Sequence, residues 1–114
     1  MSSDPFLYLH FIRQHMITLP GATEGLSHGT PAFYVNKKIL ARIWEDGQVL
    51  VVHTDEREKW IEAAPETFFI TDHYRNYRYM LIRLDKVAPD ELKQLLTGAW
   101  LKKASKTLVS KHRL

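Results

Sequence analysis

The spacing of apolar side chains changes twice along this chain, and each change marks a boundary between elements. Phe6, Leu9, Ile12 and Met16 recur at steps of three and four, the spacing that puts side chains on one face of an α-helix. Asp4-Pro5 ahead of them supplies an N-cap and a proline at the first helical position. A helix over about 5–17 is therefore predicted, stopped by Leu19-Pro20-Gly21. Residues 22–31 are rich in Thr, Ser, Gly and Pro and read as a loop with one turn near Thr23–Leu26. From Ala32 the period falls to two. Runs at 32–35, 38–44 and 48–53, separated by Asn36-Lys37 and Glu45-Asp46-Gly47, predict a three-stranded antiparallel meander.

Thr54-Asp55-Glu56-Arg57-Glu58 opens a second helix with a hydroxyl cap and first-turn acids that complement the helix dipole. Trp60, Ile61 and Ala64 form its buried stripe, and Pro65 ends it. A short strand at 68–70, a polar turn at 72–76 and a strand at 77–84 make a second hairpin. Leu92, Leu95, Leu96, Ala99 and Trp100 follow i, i+3, i+4, i+7, i+8, the core face of a last helix running from Ala88 to about Lys106. Leu108 and Val109 add one more turn, and residues 105–114 read as a loosely packed basic tail ending in a frayed Ser110–Leu114.

No βαβ alternation occurs in this order, which excludes a parallel sheet. The expected fold is two-layer α+β, in the order α-βββ-α-ββ-α, with a five-stranded antiparallel sheet and the helices on one face. Alternation then sends Ile39, Ala41, Ile43, Met80, Ile82 and Leu84 toward the helices, and Leu40, Arg42, Trp44, Tyr79, Leu81 and Arg83 to the open face.

At 114 residues the chain is one domain, 1–114, able to hold itself by packing alone. It has no cysteine, which removes disulfide scaffolds, thiolate metal sites and thiol nucleophiles. No apolar run approaches the ~20 residues of a membrane span, and the first residues lack a signal-peptide pattern, so a cytoplasmic protein with no membrane partner is expected. The net charge of +3 is unevenly spread. Residues 92–114 carry Lys93, Lys102, Lys103, Lys106, Lys111 and Arg113 without a single acid.

Catalytic patterns are missing. The six histidines include no HExxH, and His10 and His15, five apart, lie about 140° apart on a helix. No GxGxxG, GxxxxGK[ST] or GxSxG is present. His28, between Ser27 and Gly29-Thr30, is a loop site of unassigned role: its flanking hydroxyls suit a general base, and a histidine bonded within its own loop is the simpler reading. Asp55, Glu56 and Glu58 are helix-start surface acids. The expectation is no enzyme, no metal and no cofactor.

The runs Leu19-Pro20-Gly21-Ala22-Thr23-Glu24, Ser27-His28-Gly29-Thr30-Pro31-Ala32-Phe33 and Lys38-Ile39-Leu40-Ala41-Arg42-Ile43 resemble the signature of the MmcQ/YjbR family of small bacterial proteins. The later helix, the aromatic fifth strand and Leu95, Leu96 and Trp100 extend that resemblance over nearly the whole chain. It implies a two-layer α/β fold like that of type III secretion chaperones and frataxin-like domains, and a predicted DNA-binding role that rests on fold analogy. One departure is that no proline follows the final helix. Frataxin-like iron binding is discounted, because helix 1 has no acid between Pro5 and Pro20.

Three features favour nucleic acid. Lys37 and Lys38 tip a hairpin. Tyr74-Arg75-Asn76-Tyr77-Arg78-Tyr79, followed by Arg83, interleaves guanidinium groups for phosphates with rings for bases. The C-terminal segment adds Lys102, Lys103 and Lys106. Arg42 joins them on the open face, with Trp44, Tyr74, Tyr77 and Tyr79 as stacking residues. Trp, Tyr and Arg also dominate protein–protein hot spots, so a protein partner, a chaperone-like adaptor role or a homodimer through the same sheet face is the alternative.

Overall fold

Asp4 Oδ1 accepts the Phe6 backbone N–H at 2.9 Å and Pro5 takes the first helical position, so α1 begins as its sequence demands and runs Pro5–Met16. The structure, a computed structural model, describes residues 4–112. Six strands succeed α1: β1 (Thr23–Ser27), β2 (Thr30–Val35), β3 (Lys38–Ile43), β4 (Val49–His53) and, after α2 (Arg57–Ala63), β5 (Phe68–Phe69) and β6 (Tyr79–Arg83). The chain closes with α3 (Pro89–Lys103) and α4 (Lys106–His112). Every strand pairing is antiparallel and the order across the sheet is β1-β2-β3-β4-β6-β5. The fold is α+β with an open six-stranded sheet, in the order α-ββββ-α-ββ-α.

The sixth strand is β1, in the segment expected to be a loop. Its polar residues fit an edge strand, exposed along most of its length, where packing asks for no apolar alternation. His28 and Gly29 both have positive φ, 54° and 81°, and form the two-residue turn that matches strand twist. The Tyr34 hydroxyl donates to the Leu26 carbonyl at 3.0 Å and ties the hairpin across.

A bulge corrects the expected faces. Phe33 pairs with Ala41 but Tyr34 pairs with Ile39, so Leu40 is an extra residue in β3. The inserted residue shifts the alternation by one: Leu40 is fully buried in the helix-side core with Ala41, and Ile39 turns to the second face. Ala41, Ile43, Met80, Ile82 and Leu84 lie in the helix-side core, and Trp44, Tyr79 and Leu81 on the second face, as alternation predicts.

The main core lies between the sheet and α1, α2 and α3, with Ile12, Phe33, Leu40, Leu50, Met80, Ile82, Leu96 and Trp100 at its centre. Trp100 is buried yet satisfied, its Nε1 donating to the Pro20 carbonyl at 2.8 Å. Thr54 does not cap α2. Its Oγ1 accepts the Glu56 N–H at 3.1 Å and turns the chain just before the helix, whose N-cap is Glu56. After the break at Ala104, α4 lays Leu108 and Val109 against the core, and Leu108 packs so close to Gly21 that a Cβ there would meet it at 2.7 Å. Arg113 and Leu114, the end of the expected tail, lie outside the described residues. Among those described, no helix is long and apolar enough to cross a membrane.

Gly98 sits inside α3, and a Cβ at this position would meet nothing within 4 Å. Gly98→Ala should stabilise the fold by about 0.5–1 kcal/mol, because alanine loses less backbone entropy in a helix. Urea unfolding of the two proteins, with the midpoint shifting upward at constant slope, checks this.

Candidate functional site

Arg57, at the first turn of α2, builds the second face of the sheet. Its Nη1 donates to the carbonyls of Tyr74, Tyr77 and Tyr79 at 2.9, 2.6 and 3.2 Å, and its Nη2 to that of Arg75 at 2.6 Å. Glu58 Oε2, 3.0 Å from Nε, supplies the counter-charge. Only a planar fork with five donors can hold several carbonyls of one loop together. The segment between β5 and β6, including a 3-10 turn at Asp72–Tyr74, is thereby folded against the sheet. Tyr74 and Tyr79 cover Val51 and Leu81 in a small second core, so the face expected to be open is partly roofed.

Beneath and beside this loop lies a groove of about 280 Å³, lined by Ile39 and Val51 with Tyr74, Tyr77, Tyr79, His28, His73 and Arg42. The rings form a connected set: Tyr74 meets Tyr79 edge to face at 5.8 Å between centroids, His73 meets Tyr74 at 4.7 Å, and Tyr79 meets His53 at 5.6 Å. Edge-to-face contacts hold rings in fixed orientations. Burial and the nearby Tyr74 push the Tyr79 phenol above its usual range. Arg42 is held in place by Thr30 Oγ1 at 3.3 Å, the Ile43 carbonyl at 3.4 Å and Glu45 at 3.6 Å. His28 Nδ1 lies 3.2 Å from Ser27 Oγ.

A basic belt starts beside the groove, at Lys38, the neighbour in β3 of the lining residue Ile39. Asn36 and Lys37 take positive φ, 51° and 65°, in the two-residue turn between β2 and β3, and Lys38 opens the strand that carries Ile39 into the groove. Asn36 Nδ2 reaches the Lys103 carbonyl at 3.5 Å, so this hairpin tip meets the end of α3. Burial, and after it the nearby Lys103, lower the basicity of His53, the ring that meets Tyr79 edge to face. Asp55 bridges two cations, Lys102 at 2.7 Å and Arg78 at 3.0 Å. Those contacts, the Lys102 hydrogen bond first, hold its carboxyl below the ordinary value of 3.8. Among the described residues, Lys37, Lys38, Lys103 and Lys106 are in no ion pair.

The structure thus brings together Arg42, Tyr74, Tyr77, Tyr79 and His28 in the groove, and Lys37, Lys38, Arg78, Lys102 and Lys103 in the belt. Arg75 stays exposed on the loop, paired with Asp72 at 2.6 Å. Lys106 stands apart at the start of α4. Trp44 and Arg83 belong elsewhere: both surround Phe69, whose ring centroid is 6.3 Å from that of Trp44 and 4.0 Å from the Arg83 guanidinium. Sequence reasoning missed Arg57 and His53. An arginine among acids at a helix start carries no local mark of its carbonyl partners, which lie some twenty residues away.

Comparison with known proteins gives three findings. A family model described as YjbR matches residues 17–102. Two uncharacterized proteins, Rv2570 of Mycobacterium tuberculosis and Mb2600 of Mycobacterium bovis, are each 38% identical over 58 residues, 49% of this chain. The match covers 45% of each relative, so the chain spans about half the length of the curated relatives it matches. The crystal structure of Deinococcus radiodurans protein DR2400, family-model domain DUF419, superposes with a TM-score of 0.76 at 21% identity, covering 99% of this chain and 93% of that one. At that identity the likeness is one of fold.

Replacing Arg57 with methionine should cost roughly 2–3 kcal/mol, the scale of losing hydrogen bonds to a charged donor. Arg57→Lys should recover little of it, since an ammonium lacks the fork. Denaturant unfolding measures the loss, and faster amide exchange confined to residues 72–79 locates it.

Burial and Lys103 hold His53 below the ordinary imidazole value of 6.5, and burial and Lys93 do the same for His15. The unfolded chain therefore binds more protons than the native one just below 6.5, and stability falls as the pH drops through that region. Asp55 adds a loss of the same sign only near and below 3.8. Urea midpoints across this range should decline on acidification, and more shallowly in His53→Gln.

Proposed function

The chain belongs to the YjbR family, and from that premise we propose that it is a non-catalytic nucleic-acid-binding module. The observation that carries this reading is a groove with cations in the strand and turn that lead into it: three tyrosines around one cavity, with Lys37 and Lys38 just ahead of the lining residue Ile39, and Lys37, Lys38 and Lys103 in no ion pair among the described residues. Phosphates are recognised by exposed cations and bases by aromatic faces. A groove of about 280 Å³ admits a single planar ring, so the base it takes is an unpaired one, and the belt holds the flanking backbone. The net charge of +3 makes the electrostatic contribution modest, leaving stacking a large share of the affinity.

A protein partner is the second reading. It is favoured by β1, an unpaired sheet edge, with Leu26 on it and Ile17, the C-cap of α1 beside Thr23 and Glu24, both strongly exposed, a surface suited to strand addition.

The test is fluorescence anisotropy with a labelled single-stranded oligonucleotide and a duplex of the same length, over a range of salt. The single strand should bind more tightly. Replacing Lys37, Lys38, Arg78 and Lys103 together with glutamine should reduce the log–log salt slope by roughly 2–3, at about 0.7 per phosphate contact on a single strand. Tyr77→Ala should weaken binding by about 1–3 kcal/mol at every salt concentration. No binding to either probe at low salt overturns the reading and leaves the protein partner.

A further inference from the structure

Three tyrosines explain why a base would stack in the groove but do not distinguish one base from another. The group in the groove able to read a base edge is Arg42. In the sheet it stands between Ala32 of β2 and Val51 of β4, and its side chain lines the groove while only 13% exposed.

Every contact of its guanidinium is made by one nitrogen. Nη1 donates to Thr30 Oγ1 and the Ile43 carbonyl and faces Glu45. Nε and Nη2 make no hydrogen bond among the described residues. Nor are they sealed in: the buried side-chain nitrogens without a partner belong to His53 and Trp60, so the two free nitrogens of Arg42 reach solvent. Together they form one edge of the planar fork, a pair of parallel donors. The stem is already buried and Nη1 already anchored, so presenting this edge to a ligand costs little further ordering. Glu45, 3.6 Å from Nη1, offsets part of the positive charge, which suits the edge to a pair of neutral acceptors better than to a phosphate.

Guanine carries such a pair, with O6 and N7 side by side. Adenine sets an N6 donor beside N7 and would oppose donor to donor, and thymine has O4 next to a methyl group. Unpaired cytosine also offers neighbouring acceptors, O2 and N3, but its single ring covers less of the aromatic surface than a purine does.

We infer that the groove selects an unpaired guanine, with Arg42 Nε and Nη2 donating to N7 and O6 and the base lying against the surrounding rings, of which Tyr77 is the most exposed. This rests on the single-strand reading above and adds to it the base and the residue that reads it.

The test is fluorescence anisotropy of the full chain at low salt with labelled oligothymidylate strands of equal length. One strand is unaltered, three carry a single central guanine, adenine or cytosine, and one carries 7-deazaguanine, which keeps O6 and the ring area but lacks the N7 acceptor. The guanine strand should bind roughly tenfold more tightly than the other natural strands, the scale of one bidentate contact, and the 7-deazaguanine strand should lose most of that gain. A folded Arg42→Gln protein should bind the guanine strand no better than the adenine one. The 7-deazaguanine comparison uses the unaltered protein and decides the matter even where that variant does not fold. Equal binding of all strands, a preference for cytosine, or undiminished binding of the 7-deazaguanine strand overturns the inference and leaves the single-strand reading standing. No binding of any strand overturns both. Guanosine 5′-monophosphate should compete only weakly, since it brings no flanking phosphates to the belt; competition at the concentration of the strand itself would assign the groove to a free nucleotide and overturn the single-strand occupant.

Discussion

The Arg57 guanidinium is the contact on which the functional side of this molecule depends. Without its four bonds to the carbonyls of residues 74–79, the segment between β5 and β6 would have no reason to lie on the sheet. Its own sequence is polar and charged, and it makes few ladder bonds. Clamped, it places Tyr74 over Leu81 and Val51, orders a set of rings, and leaves Arg75 and Arg78 pointing away from the apolar surface. Backbone carbonyls on a tight loop are a large unsatisfied demand once part of the loop is buried. One mostly buried guanidinium meets it beside an exposed carboxylate, with less desolvation than a fully buried ion pair would entail.

The charges on the rest of this surface are arranged around one acid. Asp55 holds Lys102 and Arg78, so α3, the β6 entrance and the turn before α2 are tied at one point. These are exposed pairs, and such bridges contribute little to stability. Their effect is positional: Asp55 and Lys102 stand in the wall of a cleft along α3, and Arg78 is tied to them. His53 stands between this cleft and the groove, meeting Tyr79 edge to face on one side and lining the cleft on the other. Its environment keeps it neutral near pH 7, so it adds no positive charge to the belt.

Much of this was legible along the chain. The helices at 5–16 and 89–103 follow from apolar steps of three and four, and the hairpins of β2 to β4 from period-two runs with short polar turns, because these patterns reflect which face is buried. That Tyr74, Tyr77 and Tyr79 lie close together was also visible, since the residues are neighbours in sequence, and the structure lines one groove with them. The joining of Lys37 and Lys38 to Lys103 was not, because it depends on a hairpin tip meeting a helix end some sixty-seven residues away.

What the sequence determined by itself was the set of elements and their local chemistry, wherever burial imposes a period. The tertiary structure decided the rest. It paired a polar segment, 23–27, as an edge strand, because strand identity at an edge comes from a neighbour's hydrogen bonds and not from side-chain pattern. It inserted Leu40 as a bulge and so exchanged the faces of Ile39 and Leu40, because register is a property of two strands. It converted Arg57 from a helix-start residue into the clamp of a distant loop, because the partners of a guanidinium here are backbone carbonyls, which every residue carries and no sequence distinguishes.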